Sequence, residues 1–146
     1  MGQYFENFKD ALPDVKKVRK IKKDLEKKGV KYIYSNWIDF LGSPKTKPMP
    51  ISDFEDLCMG KGPQFAVHSV SFVPELTPAD NDQIPVPDLD SLVICPWDKT
   101  CAWVFADLYW NDKPYDVCPR MTLKKQIKES AKSDLKFFVG IEPEFF

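Results

Sequence analysis

"VKYIYSNWIDFLGSPKTKPMPI", residues 30–51, decides how this chain folds. Tyr32, Tyr34, Asn36 and Ile38 alternate with Ile33, Ser35 and Trp37, and all but Asn36 and Ser35 are strand-favouring residues. That alternation predicts a β-strand. "DFLGSPK" carries Gly42 and Pro44 and predicts a hairpin turn. The return strand "KTKPMPI" holds Pro48 and Pro50, which donate no ladder hydrogen bond, so it belongs at a sheet edge or a strand end.

Upstream of the hairpin, "DVKKVRKIKKDLEKK" (14–28) predicts a helix with Asp14 as N-cap and Gly29 as its stop. Val15, Val18, Ile21 and Leu25 form one apolar stripe. The other faces carry eight Lys/Arg against three acids and read as a solvated surface, since neither an aromatic set nor a nucleic-acid motif accompanies them. Downstream, "SDFEDLCMGKG" predicts a short helix in which Ser52 and Glu55 form a capping box and Gly60 ends the turn. "QFAVHSVSF" reads as extended chain. "VPELTPADNDQIPVPDLD" (73–90), with four prolines and five acids, reads as a loop. "SLVICPW" and "CAWVFADLYW" are strands separated by the turn "DKT". "PRMTLKKQIKESAKS" is a helix with Pro119 at its first position, and "LKFFVGIEPEFF" is a final strand. Helix, hairpin, short helix, strands, helix and strand, in that order, make an α+β fold.

The 146 residues suffice for one domain with a real core, and a net charge of −1 argues against a general polyanion binder. No apolar run reaches the ~20 residues of a membrane helix, and the N-terminus lacks the apolar stretch of a secretion signal. Cys58, Cys95, Cys101 and Cys118 contain no C-x-x-C pair, and they are expected as reduced, buried thiols in a cytoplasmic protein. His68 is the single histidine, which leaves a structural zinc site almost no ligands. Trp37, Trp97, Trp103 and Trp110 read as core or subunit-interface groups.

The chemistry is concentrated in "GIEPEFF" at residues 140–146. Glu142 and Glu144, two apart on a strand, point to one face. In an apolar frame such carboxylates are either solvated or share a hard cation such as Mg²⁺ or Mn²⁺, and spacing alone leaves both open. Asp107 interrupts the apolar strand and Arg120 opens the helix, and the pair reads as a buried ion pair holding strand to helix, with a catalytic role as the alternative.

"NWIDFLGSPKTKPMPISDFE", "VPDLDSLVICPWDKTCAWVFADLY", "PYDVCPR" and "VGIEPEFF", in that order, resemble the N-terminal part of glutamine synthetase superfamily enzymes. "YDVCPRMTLKKQ" and "FFVGIEPEFF" look most like the glutamate–methylamine ligases (γ-glutamylmethylamide synthetases). The resemblance implies a helical segment at 1–29 and a β-grasp domain at 30–117, followed at 118–146 by a linker helix and the first strand of a truncated catalytic domain. It implies an enzyme that uses ATP to phosphorylate the γ-carboxylate of glutamate and lets methylamine or ammonium displace phosphate. Glu142 and Glu144 fall on the family's paired metal ligands for Mg²⁺ or Mn²⁺. A ring-shaped homo-oligomer is implied, with neither nucleic acid nor membrane as partner.

Family members carry an Asp-Gly-Ser-Ser-type loop after a Phe, and its Asp helps bind and deprotonate ammonium in the neighbouring subunit. Here Phe65 is followed by Ala66, Val67, His68 and Ser69, so the Asp position is Ala66 and only Ser69 stands for a loop serine. Loss of the carboxylate favours an amine that bears carbon, while Glu75, Asp80 and Asp82 offer replacement charge. A true glutamine synthetase, a γ-glutamylpolyamine synthetase and a non-catalytic β-grasp module remain the alternatives. A chain that stops in mid-strand at Phe146 is expected to be inactive alone.

Overall fold

The computed structural model describes residues 2–67 and 76–145. In chain order it has helices α1 (Phe8–Ala11) and α2 (Val15–Lys27), strands β1 (Tyr32–Ile38) and β2 (Pro44–Pro50), and helix α3 (Phe54–Cys58). Strands β3 (Ile84–Pro87), β4 (Val93–Ile94), β5 (Cys101–Trp110) and β6 (Lys113–Pro114) follow, and then helix α4 (Pro119–Ala131). One mixed sheet runs β2-β1-β5-β3, with β4 and β6 also paired to β5. β1 lies parallel to β5, with Tyr32 opposite Cys101, and the other pairings are antiparallel.

The hairpin forms where the alternation put it. Gly42 takes φ +81° at the turn, and the proline-bearing β2 occupies the sheet edge. Helix α2 is capped as expected: Asp14 Oδ1 accepts from the Lys17 amide at 2.9 Å, and Gly29 sits at φ +85° just beyond its end. Its stripe buries Val18 and Leu25 against Ile33, Phe54, Leu57, Ala102 and Val104, which form the first core cluster. The second cluster joins Trp37, Phe65, Val86, Leu108, Tyr109 and Met121 toward the other end of β5.

Several expectations are corrected. The capping box at Ser52 does not form: Ile51–Asp53 is a 3₁₀ turn, Ser52 Oγ donates to Asp53, and Arg19 takes both oxygens of Glu55. A guanidinium fork on a carboxylate outcompetes one backbone N–H. The 73–90 stretch is not all loop, because Ile84–Pro87 is a strand. Pro85 and Pro87 sit two apart and so face the same strand edge. β3 ends the sheet, and it still receives and gives bonds on its inner side, where the Asp88 amide donates to Phe105 O at 2.8 Å. Of "QFAVHSVSF", Phe65 pairs with Gln83 as an isolated bridge, and His68 onward lies outside the described residues.

The expected final strand is absent. Leu135–Phe145 has no ladder partner, and Phe138 and Ile141 are 91% and 87% exposed. A strand exists only through its neighbour's hydrogen bonds, and no described strand lies against this segment. The tryptophans also divide: Trp37 is buried, whereas Trp97 is 72% exposed and meets Trp103 edge-on at 5.8 Å. All four cysteines are free and buried. Among the described residues, no helix is long and apolar enough to cross a membrane.

Candidate functional site

The sheet places one charged cluster in its interior. β5 alternates, so Phe105, Asp107 and Tyr109 share the face that α4 and the N-terminal segment cover. Tyr109 donates to Phe5 O at 3.3 Å and meets the Phe8 ring at 5.9 Å, which holds that segment down. Asp107 accepts from Arg120 Nε at 2.9 Å and from Lys124 Nζ at 2.5 Å. Asp88, just beyond β3, pairs with the same two cations: Lys124 Nζ stands 3.0 Å away and Arg120 donates directly. The Gly2 amide adds a third donor to Asp88 at 3.0 Å.

The predicted Asp107–Arg120 pair is therefore half of a tetrad. Asp88 and Lys124 escaped the sequence reading. Lys124 was signalled by its spacing: it lies one helical turn after Arg120 on the same face of α4. Asp88 had no such signal, because its strand was read as loop. Lys124 is only 3% exposed and Asp107 6%, so these charges are deeply desolvated. Burial works to raise the Asp88 carboxyl. Hydrogen bonds from Lys124 and the Gly2 amide, with the charges of Lys124 and Arg120, outweigh it and hold that carboxyl below its ordinary value. Each of the two acids is bonded to both bases, so the four charges balance within the cluster. The tetrad locks β3, β5, α4 and the N-terminus together.

The stretch after Phe65, which the resemblance aligns with the family's Asp-Gly-Ser-Ser motif, leaves the described residues after Val67. Phe65 stacks on Trp37 with ring centres 4.2 Å apart. Two backbone hydrogen bonds, Gln83 N to Phe65 O at 2.8 Å and Phe65 N to Gln83 O at 3.3 Å, clasp the base. Ala66 is half-buried at the mouth. His68, Ser69 and Glu75 lie outside the described residues. Of the replacement acids, Asp80 folds back on Thr77, accepting from its amide at 2.7 Å, and Asp82 is exposed. Gln83 is fully buried, yet among the described residues its side-chain amide has no partner, and neither has the indole N–H of Trp37.

Glu142 and Glu144 are exposed on the segment after α4, and no hydrogen bond or ion pair joins them to the other described residues. Their four oxygens suit a hard divalent cation. Among the described residues, however, no three ligating side chains gather.

Over this scaffold the chain is 39% identical across 119 residues to the glutamine synthetase of Rhizobium meliloti (strain 1021). That match covers 82% of this chain and 27% of the relative. The glutamate–methylamine ligase of Methyloversatilis universalis is 32% identical over 123 residues, which cover 83% of this chain and 27% of that protein. The chain belongs to the glutamine synthetase superfamily. It spans about a quarter of the length of the relatives it matches (27% in both cases above). Two solved structures agree in fold: a GmaS–ADP complex at TM-score 0.71 and apo GmaS at 0.72, each 27% identical. They cover 77% and 78% of this chain, and this chain covers 26% of each. No protein-family model matches the chain.

Proposed function

We propose that this chain is part of an ATP-dependent glutamate–amine ligase acting through γ-glutamyl phosphate, with methylamine or another small alkylamine preferred to ammonium. The observation that carries the reading is the match to ligases over more than four-fifths of the chain, joined to an Ala at the position of the family's ammonium-binding Asp. A carboxylate there stabilises a small hydrated cation and takes its proton. Alanine does neither, and it leaves room for a methyl group. One buried methyl contributes about 1 kcal/mol, so most of the preference comes from poorer handling of ammonium. Ser69 is the remaining loop hydroxyl in this scheme. Glu142 and Glu144 are two ligands for Mg²⁺ or Mn²⁺, and the other ligands, with the ATP and glutamate contacts, come from outside residues 1–146. A bound divalent ion supplies charge neutralisation at the transferred phosphoryl group. The protein works in the cytoplasm as a ring-shaped homo-oligomer.

A true glutamine synthetase is the second reading, favoured by the higher identity to the Rhizobium meliloti enzyme (39% against 32%). The deciding experiment uses a protein that continues this sequence to the length of its relatives. The ratio of kcat/KM for methylamine and ammonium is measured in that protein and in its Ala66→Asp variant. The expected ratio favours methylamine and moves toward ammonium in the variant. A parent that already prefers ammonium overturns the amine assignment. Glu142→Ala and Glu144→Ala should each nearly abolish turnover, and near-normal rates at saturating Mg²⁺ and Mn²⁺ would remove the ligand assignment. The 146-residue chain alone should release no phosphate from ATP with glutamate and methylamine.

A further inference from the structure

The turn between β4 and β5 sets two thiols against each other. β4 pairs with β5 through Val93 opposite Trp103 and Ile94 opposite Ala102. The next step of that ladder is Cys95 opposite Cys101, and the Cys95 amide donates to Cys101 O at 2.9 Å. Directly opposed residues of an antiparallel pair point to one face, with Cβ atoms about 4.5–5.5 Å apart. A disulfide needs about 3.5–4.5 Å, so closing one asks for a shift of roughly 1 Å in a hairpin tip. The tip is short: Asp98 and Thr100 form its turn, and Trp97 projects from it into solvent.

The surroundings distinguish the two sulfurs. Cys101 Sγ donates to Asp98 Oδ2 at 3.4 Å and lies 3.7 Å from Thr100 Oγ1. Cys101 keeps 8% of its surface exposed, against 2% for Cys95. Cys58 and Cys118 are buried in the first and second core clusters respectively.

We propose that Cys95 and Cys101 are a redox-responsive pair that closes to a disulfide across the hairpin when a small disulfide oxidant is present. Cys101, the more exposed, loses its proton and attacks the oxidant RSSR. A Cys101–SR mixed disulfide forms and one RSH leaves. Cys95, in its deprotonated form, then attacks the Cys101 sulfur and expels the second RSH. The two thiols are oxidised by two electrons and one RSSR is reduced to two RSH. The product staples the turn that carries Trp97, so the exposed Trp97–Trp103 surface responds to the thiol balance of its surroundings.

The test treats the folded chain with glutathione disulfide, blocks remaining thiols with iodoacetamide and digests with trypsin. Cleavage after Lys99 separates Cys95 from the peptide 100–120, which carries both Cys101 and Cys118, and fragmentation of the linked peptides shows which of the two is bonded. The expected result is one linked pair, Cys95–Cys101, with Cys58 and Cys118 alkylated only after unfolding, and release of the link by dithiothreitol. Cys95→Ser should accumulate glutathione on Cys101, whereas Cys101→Ser should leave Cys95 unmodified over the same time. Reversal of that order overturns the assignment of the attacking sulfur. Glutathione that persists on wild-type Cys101 without closure, no modification at either residue, or links that include Cys58 or Cys118 at equal rate overturns the proposal.

Discussion

Replacing Lys124 by Met isolates the electrostatic content of the buried tetrad. Met keeps the length and most of the volume of the lysine stem, so no cavity is opened and the change removes one charge. In the native chain Lys124 Nζ serves Asp107 at 2.5 Å and Asp88 at 3.0 Å. Without it two desolvated carboxylates share Arg120 as their one cation. Breaking a buried pair by removing one partner costs about 3–5 kcal/mol, because the uncompensated charge stays inside. In a chain of this size 1 kcal/mol moves Tm by roughly 2–4 °C, so a fall on the order of 10 °C is expected. Urea titration at pH 7, followed by tryptophan fluorescence, should show a lower midpoint with an unchanged slope. The pH profile adds a second check. Asp88 has its folded pKa depressed, so it contributes stability that is complete above the unfolded aspartate range and is lost as pH falls through the folded value. Lys124→Met relieves that depression, and its acid limb should begin at higher pH. Asp88→Asn combined with Lys124→Met leaves the balanced Asp107–Arg120 pair and should recover part of the loss. A cost below about 1 kcal/mol with an unmoved acid limb would refute the buried tetrad, because a solvated pair contributes no more than that.

Three further outcomes are expected. Gly60→Ala should cost more than Gly29→Ala in equilibrium unfolding: both have positive φ, but a Cβ at Gly60 would stand 2.3 Å from the Phe8 ring while one at Gly29 meets nothing within 4 Å. Equal costs near the ~1 kcal/mol of backbone strain alone would show that Phe8 does not pack there. Deleting residues 137–146 should raise soluble yield and leave Tm unchanged, since the described part of that segment is exposed and unpaired; a lower Tm would show that it is already docked. Gln83→Met should be neutral or stabilising by about 1–3 kcal/mol in urea titration, because the buried amide lacks a partner among the described residues, and a loss of stability would show that the amide is satisfied.

What the sequence disclosed follows from where its signals are local. The α2 caps, the Gly42 turn, the proline-marked edge strand and the apolar run of β5 each rest on residues a few positions apart. Asp107 and Arg120 were found because one broke an apolar strand and the other opened a helix. β3 was lost because its prolines read as loop, and only the sheet reveals that an edge strand tolerates them. With β3 went Asp88, and so half of the acids in the tetrad. Glu55 was assigned to a local cap because Arg19, its partner, lies 36 residues away. The Leu135–Phe145 strand was read from β composition, which states a preference and supplies no neighbour.

The clasp between Phe65 and Gln83 has a consequence for how such a protein can change. Because both ends of residues 66–82 are fastened to the sheet, whatever is written between them leaves the pairing of β3 with β5 untouched. The stretch that includes Ala66 and Ser69 is thus a cassette. Under the proposed function, a change of amine preference written there leaves the scaffold under separate selection.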